Sequence, residues 1–403
     1  MAEPKIRFRE YEGEYNLDKI GNLTDSYSGG TPSAGCSEYY GGKIPFIRSG
    51  EIHNDKTELF LTEIGYSVSS AKMVEKGAIL YAMYGATSGE VDVCKIKGAI
   101  NQAILAINPQ NDIDSYFLIY LLQNKKKSII STFLQGGQGN LSGSMIKNIT
   151  IEYPDIIEQQ QIASYFKSLD ALIQVTTKKI ISLKQLKSAS LISMFPQAGE
   201  TKPRVRFKGF KEDWKKSKLN QLANRITRKN KKLETQLPLT ISAIDGLISQ
   251  DSFFNDIVAS SNLSGYYLIR EGEFAYNKSY SNGYPFGVVK RLEKYNMGAL
   301  STLYIVFALN TNILSDYVAY FFDTTLWHNE VAKSAAEGAR NHGLLNINTD
   351  DFLGIEILFP PSLSEQRQIA SFFRSLDTQI FLETQRLDKL KQIKSACLDK
   401  MFV

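Results

Sequence analysis

The sequence predicts an α+β chain in which two strand-rich domains alternate with two long helices, the second half repeating the first. Three observations predict this. Residues 158–195 (EQQQIASYFKSLDALIQVTTKKIISLKQLKSASLISMF) and 365–402 (EQRQIASFFRSLDTQIFLETQRLDKLKQIKSACLDKMF) align without a gap, with about 21 of 38 positions identical. Within both copies apolar residues recur at alternating steps of four and three. Ahead of each copy lie about 150 residues of short apolar runs punctuated by Gly, Pro and Asn, the mark of strands and turns.

Each helix has a start signal. Pro154 and the pair Pro360-Pro361 block helix upstream, and Ser364 is placed to cap the second copy. The apolar seam of the first copy is Ile162, Phe166, Leu169, Ile173, Ile180 and Leu183. In the second it is Ile369, Phe373, Leu376, Ile380, Leu387 and Leu390, in the same heptad register. Thr176 and Glu383 interrupt the two seams at the same place. Narrow seams that match are most simply satisfied by packing the helices on each other.

The repeat extends into the domains. PKIRFREYEGEYNLDKIGNL opens the first half and PRVRFKGFKEDWKKSKLNQL the second, and each half ends on a strand running into proline, NITIEYP and GIEILFP. Between them Gly77–Tyr81 parallels Gly272–Tyr276, and Ala103–Asn108 parallels Ile305–Asn310, each pair reading as strands. Tyr116–Phe133 and Tyr317–Ala335 each read as one amphipathic helix. The expected divisions are a first domain at 1–153, a helix segment at 154–196, a linker at 197–202, a second domain at 203–359 and a helix segment at 360–403. Elements kept alike suit a shared contact, and domains that differ on one frame suit recognition of different things.

Composition is that of an ordinary globular protein, 43% hydrophobic and 22% charged. The longest apolar run, Tyr116–Leu122, falls far short of a membrane span. Three widely spaced cysteines (Cys36, Cys94, Cys397) form neither a disulfide framework nor a CxxC pair, and the charged N-terminus lacks a secretion signal, so a cytoplasmic protein is expected. The net charge of +5 is unevenly spread: residues 202–232 hold 13 Lys/Arg against Glu212 and Asp213. Such a stretch suits a phosphate-backbone partner, and is equally common as a solvated face.

Motifs for catalysis are missing from the sequence. His53, His328 and His342 lack ligands at zinc spacing; there is no GxxxxGK[ST], no Asn/Asp-Pro-Pro-aromatic loop and no GxSxG elbow. Polar loops suited to base edges do occur at matching points of the halves. Candidate contacts are Thr31, Tyr84, Ser88, Gln138 and Asn140 in the first, and Lys278, Tyr280, Asn282, Arg340, Asn341 and His342 in the second. Arg225, Arg228 and Lys229, with Lys231, Lys232 and Lys125–Lys127, are candidates for phosphates.

This layout resembles the specificity subunit of Type I restriction–modification systems over essentially the whole length. The resemblance rests on GGTPS at Gly29–Ser33 and IPFIRSGEI at Ile44–Ile52, which adds Arg48 to the candidates. It rests also on the strand-Pro-x-EQxxI entries at Glu158 and Glu365 and the (F/Y)FxSLDxxI starts at Tyr165 and Phe372. It implies two target recognition domains, each reading half of an asymmetric bipartite DNA site. It implies that the helices pair antiparallel as a pseudo-twofold coiled coil, set the spacer and dock two modification subunits. S-adenosylmethionine and adenine methylation would belong to those subunits, ATP and Mg²⁺ to restriction/translocase subunits, and no cofactor, metal or catalytic residue to this chain. Alternatives are the same role in a related system whose partner both cuts and methylates, and a coiled-coil scaffold that does not bind DNA.

Overall fold

The structure is a computed structural model describing residues 4–133, 140–197, 199–251, 262–279, 283–310, 312–335 and 347–403. It divides into two compact units, one of residues 1–178 with 384–403 and the other of residues 179–383.

In the first unit β1 (Asn16–Lys19), β2 (Thr24–Ser28), β3 (Tyr40–Ile47), β4 (Leu59–Leu61), β5 (Lys72–Val74), β6 (Ile79–Ala82), β7 (Val91–Val93), β8 (Gly98–Ile100), β9 (Ile104–Pro109) and β10 (Thr150–Tyr153) make three sheets. Their orders are β2-β9-β6-β7, β4-β3-β8-β5 and β1-β10. All pairings are antiparallel except β3 with β8. The four residues of β6 and the first four of β9 are buried, so these strands are continuously apolar rather than alternating, as strands covered on both faces must be. Helix α1 (Ser115–Phe133) follows, and α2 (Ile156–Ser193) begins after β10.

In the second unit the strands are β11 (Lys215–Lys218), β12 (Ala223–Arg225), β13 (Pro238–Ser242), β14 (Gly246–Ser249), β15 (Tyr267–Arg270), β16 (Phe274–Asn277), β17 (Val288–Arg291), β18 (Met297–Leu300), β19 (Ile305–Leu309) and β20 (Glu356–Phe359). Their sheet orders are β12-β19-β16-β17, β14-β13-β18-β15 and β11-β20, with β13 and β18 parallel. Adding ten to each strand number of the first unit gives the second. Gly77 (φ 101°) and Gly272 (φ 83°) occupy the left-handed turns that lead into β6 and β16, a conformation that costs a Cβ-bearing residue strain.

One expected element is broken. The single helix anticipated over 317–335 is two, α3 (Ser315–Phe322) and a short helix at His328–Ala335. The break follows from side chains that take the last carbonyls of α3: Thr324 Oγ1 donates to Phe321 O (2.6 Å) and Trp327 Nε1 to Phe322 O (3.1 Å). Helix α4 (Leu363–Met401) closes the chain order. Its cap is Ser362 rather than Ser364, since Ser362 Oγ accepts the Glu365 N–H (3.4 Å); Asp155 serves α2 by accepting from Ile157 and Glu158.

The first turns of α2 and α4 are fastened identically to their own domains. Glu158 receives Arg7 at 2.9 and 2.8 Å and the Tyr15 hydroxyl at 3.3 Å; Glu365 receives Arg206 at 2.6 and 2.8 Å and the Trp214 indole N–H at 3.3 Å. Both carboxylate side chains are 1% exposed. The next residues, Gln159 and Gln366, are fully buried; each accepts a backbone N–H, from Asp114 and Leu314, and donates to the carbonyl of Pro154 or Pro360.

Within each unit the two long helices run antiparallel. In the first, Tyr165 lies against Cys397 and Asp170 against Lys394; in the second, Lys179 reaches Glu383 (2.6 Å) and Lys187 reaches Asp377 (2.7 Å). All twelve seam residues are buried or half-buried. The seam is nevertheless broader than a helix pair needs, because Ile162, Phe166 and Leu169 share a core with Phe117 and Leu121, as Ile369, Phe373 and Leu376 do with Tyr317 and Phe321. The interrupting Glu383 is held by Lys179, and Thr176 is buried.

Each helix also ends in a hydrophobic plug. Met401 and Phe402 enter the first unit's core, where Phe402 meets Phe117 (5.3 Å) and Phe166 (5.8 Å). Met194 and Phe195 enter the second unit's core, where Phe195 meets Tyr317 (5.6 Å) and Trp214 (5.9 Å).

Glu365→Ala strands the Arg206 guanidinium in its 13%-exposed site, and a loss of about 3–5 kcal/mol is expected, as for breaking a buried pair. Urea unfolding of Glu365→Ala, Arg206→Ala and the double variant checks it: the double variant should cost clearly less than the sum of the singles.

Candidate nucleic-acid interface

In the first unit four polar residues gather where β2 and β6 finish and β9 begins. The Met83 N–H donates to Ala103 O (2.8 Å), and the Leu141 N–H to Met83 O (3.0 Å), which brings the loop after β6 beside the segment at 140; Tyr84 and Asn140 form an isolated β-bridge there. Thr31, after β2, donates its hydroxyl to Gln102 Oε1 (2.5 Å), just ahead of β9. Thr31 and Asn140 are exposed and Tyr84 is half-buried. Ser88 belongs to the same loop, but it is buried and its hydroxyl donates to Met83 O (3.0 Å), so it braces the loop from inside rather than facing out.

Arg48 is held back by carboxylates. Glu51 takes its Nε and Nη2 at 3.0 Å each and Glu58 takes Nη2 at 2.7 Å, around a polar hollow also lined by Gly50, Asn54 and Thr57. Burial raises the Glu51 pKa, but hydrogen bonds from the Arg48 side chain and from the Glu58 and Arg48 N–H groups outweigh it and bring the value down to about 2. Of the nearby lysines, Lys125 donates to Val403 O (2.8 Å), Lys126 pairs with Glu90, and Lys127 is exposed. His53, which has no residue at zinc-ligand spacing in the sequence, meets Asp92 (2.9 Å) and Glu90 (3.4 Å). The Asp92 hydrogen bond, against burial, raises its pKa.

The second unit carries other chemistry on the same strand frame. Lys278 directly follows β16, where Met83 follows β6, and its ammonium donates to Ile347 O (3.4 Å), just before the short helix Thr349–Leu353. Arg225 ends β12 opposite Phe307 and is exposed. Lys229 bridges to Tyr267 and sets its ammonium over that ring at 4.1 Å. Arg228 is clasped by both oxygens of Glu273 (2.9 Å each). Glu273 precedes β16 and Lys278 follows it, so the Arg228 head group and Lys278 sit toward opposite ends of that strand. Lys231 and Lys232 are exposed. Gln138, Tyr280, Asn282, Arg340, Asn341 and His342 lie outside the described residues.

Sequence reasoning missed Gln102, whose only signal was the Asn101-Gln102 turn before β9. It also missed the clasps on Arg48 and Arg228, which need carboxylates placed by the fold. Among the described residues no three His, Cys, Asp or Glu side chains gather as metal ligands, and no helix is long and apolar enough to cross a membrane.

Comparisons with known proteins bear on this frame. A family model described as "Type I restriction modification DNA specificity domain" matches residues 12–185 and 211–392. The chain is 31% identical over 174 residues to the Type I restriction enzyme MjaIX specificity subunit of Methanocaldococcus jannaschii, covering 41% of this chain and 40% of that protein. It is 24% identical over 231 residues to the MjaVIII specificity subunit of the same organism, covering 54% and 52%. It is 24% identical over 186 residues to the EcoR124I/EcoR124II specificity subunit of Escherichia coli, covering 43% and 46%. These alignments thus span about half the length of the curated relatives. Among solved structures, the S subunit of a Type I restriction-modification system from M. genitalium superposes with a TM-score of 0.62 at 17% identity, covering 100% of this chain and 99% of that one. A chain from a type I R-M system gives 0.53 at 13% identity, covering 97% and 98%. At these identities the likeness is one of fold.

The clasp on Arg48 has a signature in acid. Because the Glu51 pKa is lowered from an ordinary 4.5 to about 2, the stabilisation from its ionised form is fully present above 4.5 and is lost as pH falls through about 2. A carboxyl NMR titration should give a Glu51 midpoint near 2, and Arg48→Met should move it upward.

Proposed function

Because the chain belongs to the Type I restriction modification DNA specificity domain family, we propose that it is the subunit that chooses the DNA sequence in such a system. Each recognition domain reads one half of a bipartite, asymmetric site. The single observation that carries this reading is one frame, repeated strand for strand, that carries different side chains: Thr31, Gln102, Tyr84 and Asn140 gathered where β2, β6 and β9 meet in one unit, and Arg225 on β12, Lys229 beside Tyr267 and Lys278 after β16 in the other. Hydrogen-bonding groups of this kind discriminate base edges, whereas lysine and arginine cations also hold phosphates.

In this proposal Arg225, Lys229, Lys231 and Lys232 contact phosphate, while the carboxylate clasps on Arg48 and Arg228 stiffen their loops. The long helices supply the spacer: 38 and 39 residues at about 1.5 Å each extend on the order of 57 Å, an upper limit of roughly seventeen base pairs. Two copies of one modification subunit dock on the parts of the chain that repeat most closely. Those subunits bind S-adenosylmethionine and methylate adenine, restriction/translocase subunits use ATP and Mg²⁺, and this chain carries out none of these reactions itself, working in the cytoplasm on double-stranded DNA.

Insertion of one heptad into each long helix should lengthen the methylated spacer by about three base pairs, from about 10.5 Å of added helix. Long-read detection of modified bases in the native host measures it, and methylation confined to the original spacing would sink the spacer role. Arg225→Gln with Lys229→Gln should weaken binding across sequences and flatten the log-affinity against log-salt slope by about 1–2; an unchanged slope in a DNA-shift titration would remove both residues from the phosphate set.

A further inference from the structure

The two units share a second duplicated cluster, made of a tyrosine from a domain helix, an aspartate from the long helix of the same half and a lysine from the long helix of the other. In the first unit Asp170 accepts the Tyr120 hydroxyl (2.8 Å) and the Lys394 ammonium (2.5 Å), and Lys394 stands over the Tyr120 ring at 5.3 Å. In the second Asp377 accepts the Tyr320 hydroxyl (3.0 Å) and the Lys187 ammonium (2.7 Å), and Lys187 stands over the Tyr320 ring at 5.4 Å. Asp170 and Asp377 are the same position of the written-twice stretch, and so are Lys187 and Lys394. The second cluster is extended by Asp323, which meets both Lys187 (3.4 Å) and Lys290 (2.8 Å).

The apolar residues of the seams cannot select one pairing alone, because the two seams are nearly identical and, apart from the break at Thr176 and Glu383, repeat every heptad. The clusters can. In a parallel, in-register pairing Asp170 would face Asp377 and Lys187 would face Lys394, like against like. In an antiparallel pairing slipped by one heptad, Asp170 would face Leu387 or Met401, and Asp377 would face Ile180 or Met194. Each slip leaves a half-buried carboxylate against an apolar residue and a lysine without its acceptor. Of these pairings the observed register alone gives all four cluster charges their partners, and the tyrosine ties that register to the domain, since its hydroxyl reaches the same carboxylate.

We infer that these two Tyr–Asp–Lys clusters lock the register of the helix pair. They are therefore positioning residues for the distance between half-sites, a role that rests on the function proposed above. They touch no DNA in this inference and act through the helices alone.

The test uses the full chain in its native host, with genome-wide methylation as the readout. The like-charge variant Asp170→Lys/Asp377→Lys should lower methylation at the wild-type spacing by about tenfold or more, with residual modification at other spacings between unchanged half-site sequences. Exchanging the partners as well, with Lys394→Asp and Lys187→Asp added, should restore the single original spacing to within about threefold. Asp170→Asn/Asp377→Asn, which keeps the shape, covers the case in which the like-charge variant does not fold, and should broaden the spacing without changing the half-sites. Original spacing retained at full level in either disrupted variant overturns the lock. So does failure of the charge exchange to rescue a chain that accumulates normally. A wild-type host with no bipartite methylation would instead defeat the proposed function and leave the clusters as structural ties.

Discussion

A carboxylate that is 1% exposed must have a partner, and this chain has two of them at corresponding places, Glu158 and Glu365. Each is met by an arginine from the opening segment of its own half and by the hydroxyl or indole of the aromatic that precedes the first strand. This fixes three things together: where the opening segment lies, where β1 or β11 starts, and at what angle the long helix leaves the domain. The buried glutamine that follows each glutamate then satisfies the turn beside it. Loss of the ion pair would disturb the base on which both the sheets and the helix are set.

The contrast between rigid base and variable corner runs through both units. Sheet order and the glycine turns into β6 and β16 repeat, so one strand frame serves both units. What differs is the chemistry mounted on it, amides and hydroxyls in one unit and cations in the other. Carboxylates clasp Arg48 in the first unit and Arg228 in the second, which limits how many rotamers those side chains explore. A recognition surface built this way can change its side chains without changing its scaffold.

The long helices and the strand skeleton were legible in the sequence because period and punctuation are local signals. The Arg–Glu pairs were present as matched letters, PKIRF with EQ and PRVRF with EQ, yet their partnership was not, since 151 and 159 residues separate the partners. The Tyr–Asp–Lys clusters were hidden for the same reason, as each draws on three separate elements. The break after α3 escaped because apolar periodicity continues through it, while the side-chain hydrogen bonds of Thr324 and Trp327 that end the helix leave no periodic trace. Ser88 looked like a surface loop residue by composition; only the fold shows that its hydroxyl turns inward.

The helix-end plugs give two otherwise equivalent units different histories on the ribosome. The core of the second receives Met194 and Phe195, which are made before any of its own strands. The core of the first receives Met401 and Phe402, and its Lys125 binds a carbonyl 278 residues downstream. As the chain emerges, the second unit can close on a plug already at hand, whereas in the first Phe117 and Phe166 gain their contacts to Phe402 only after more than half of the chain has followed. A core left incomplete during synthesis is where nascent chains are most open to chaperones and to misassembly.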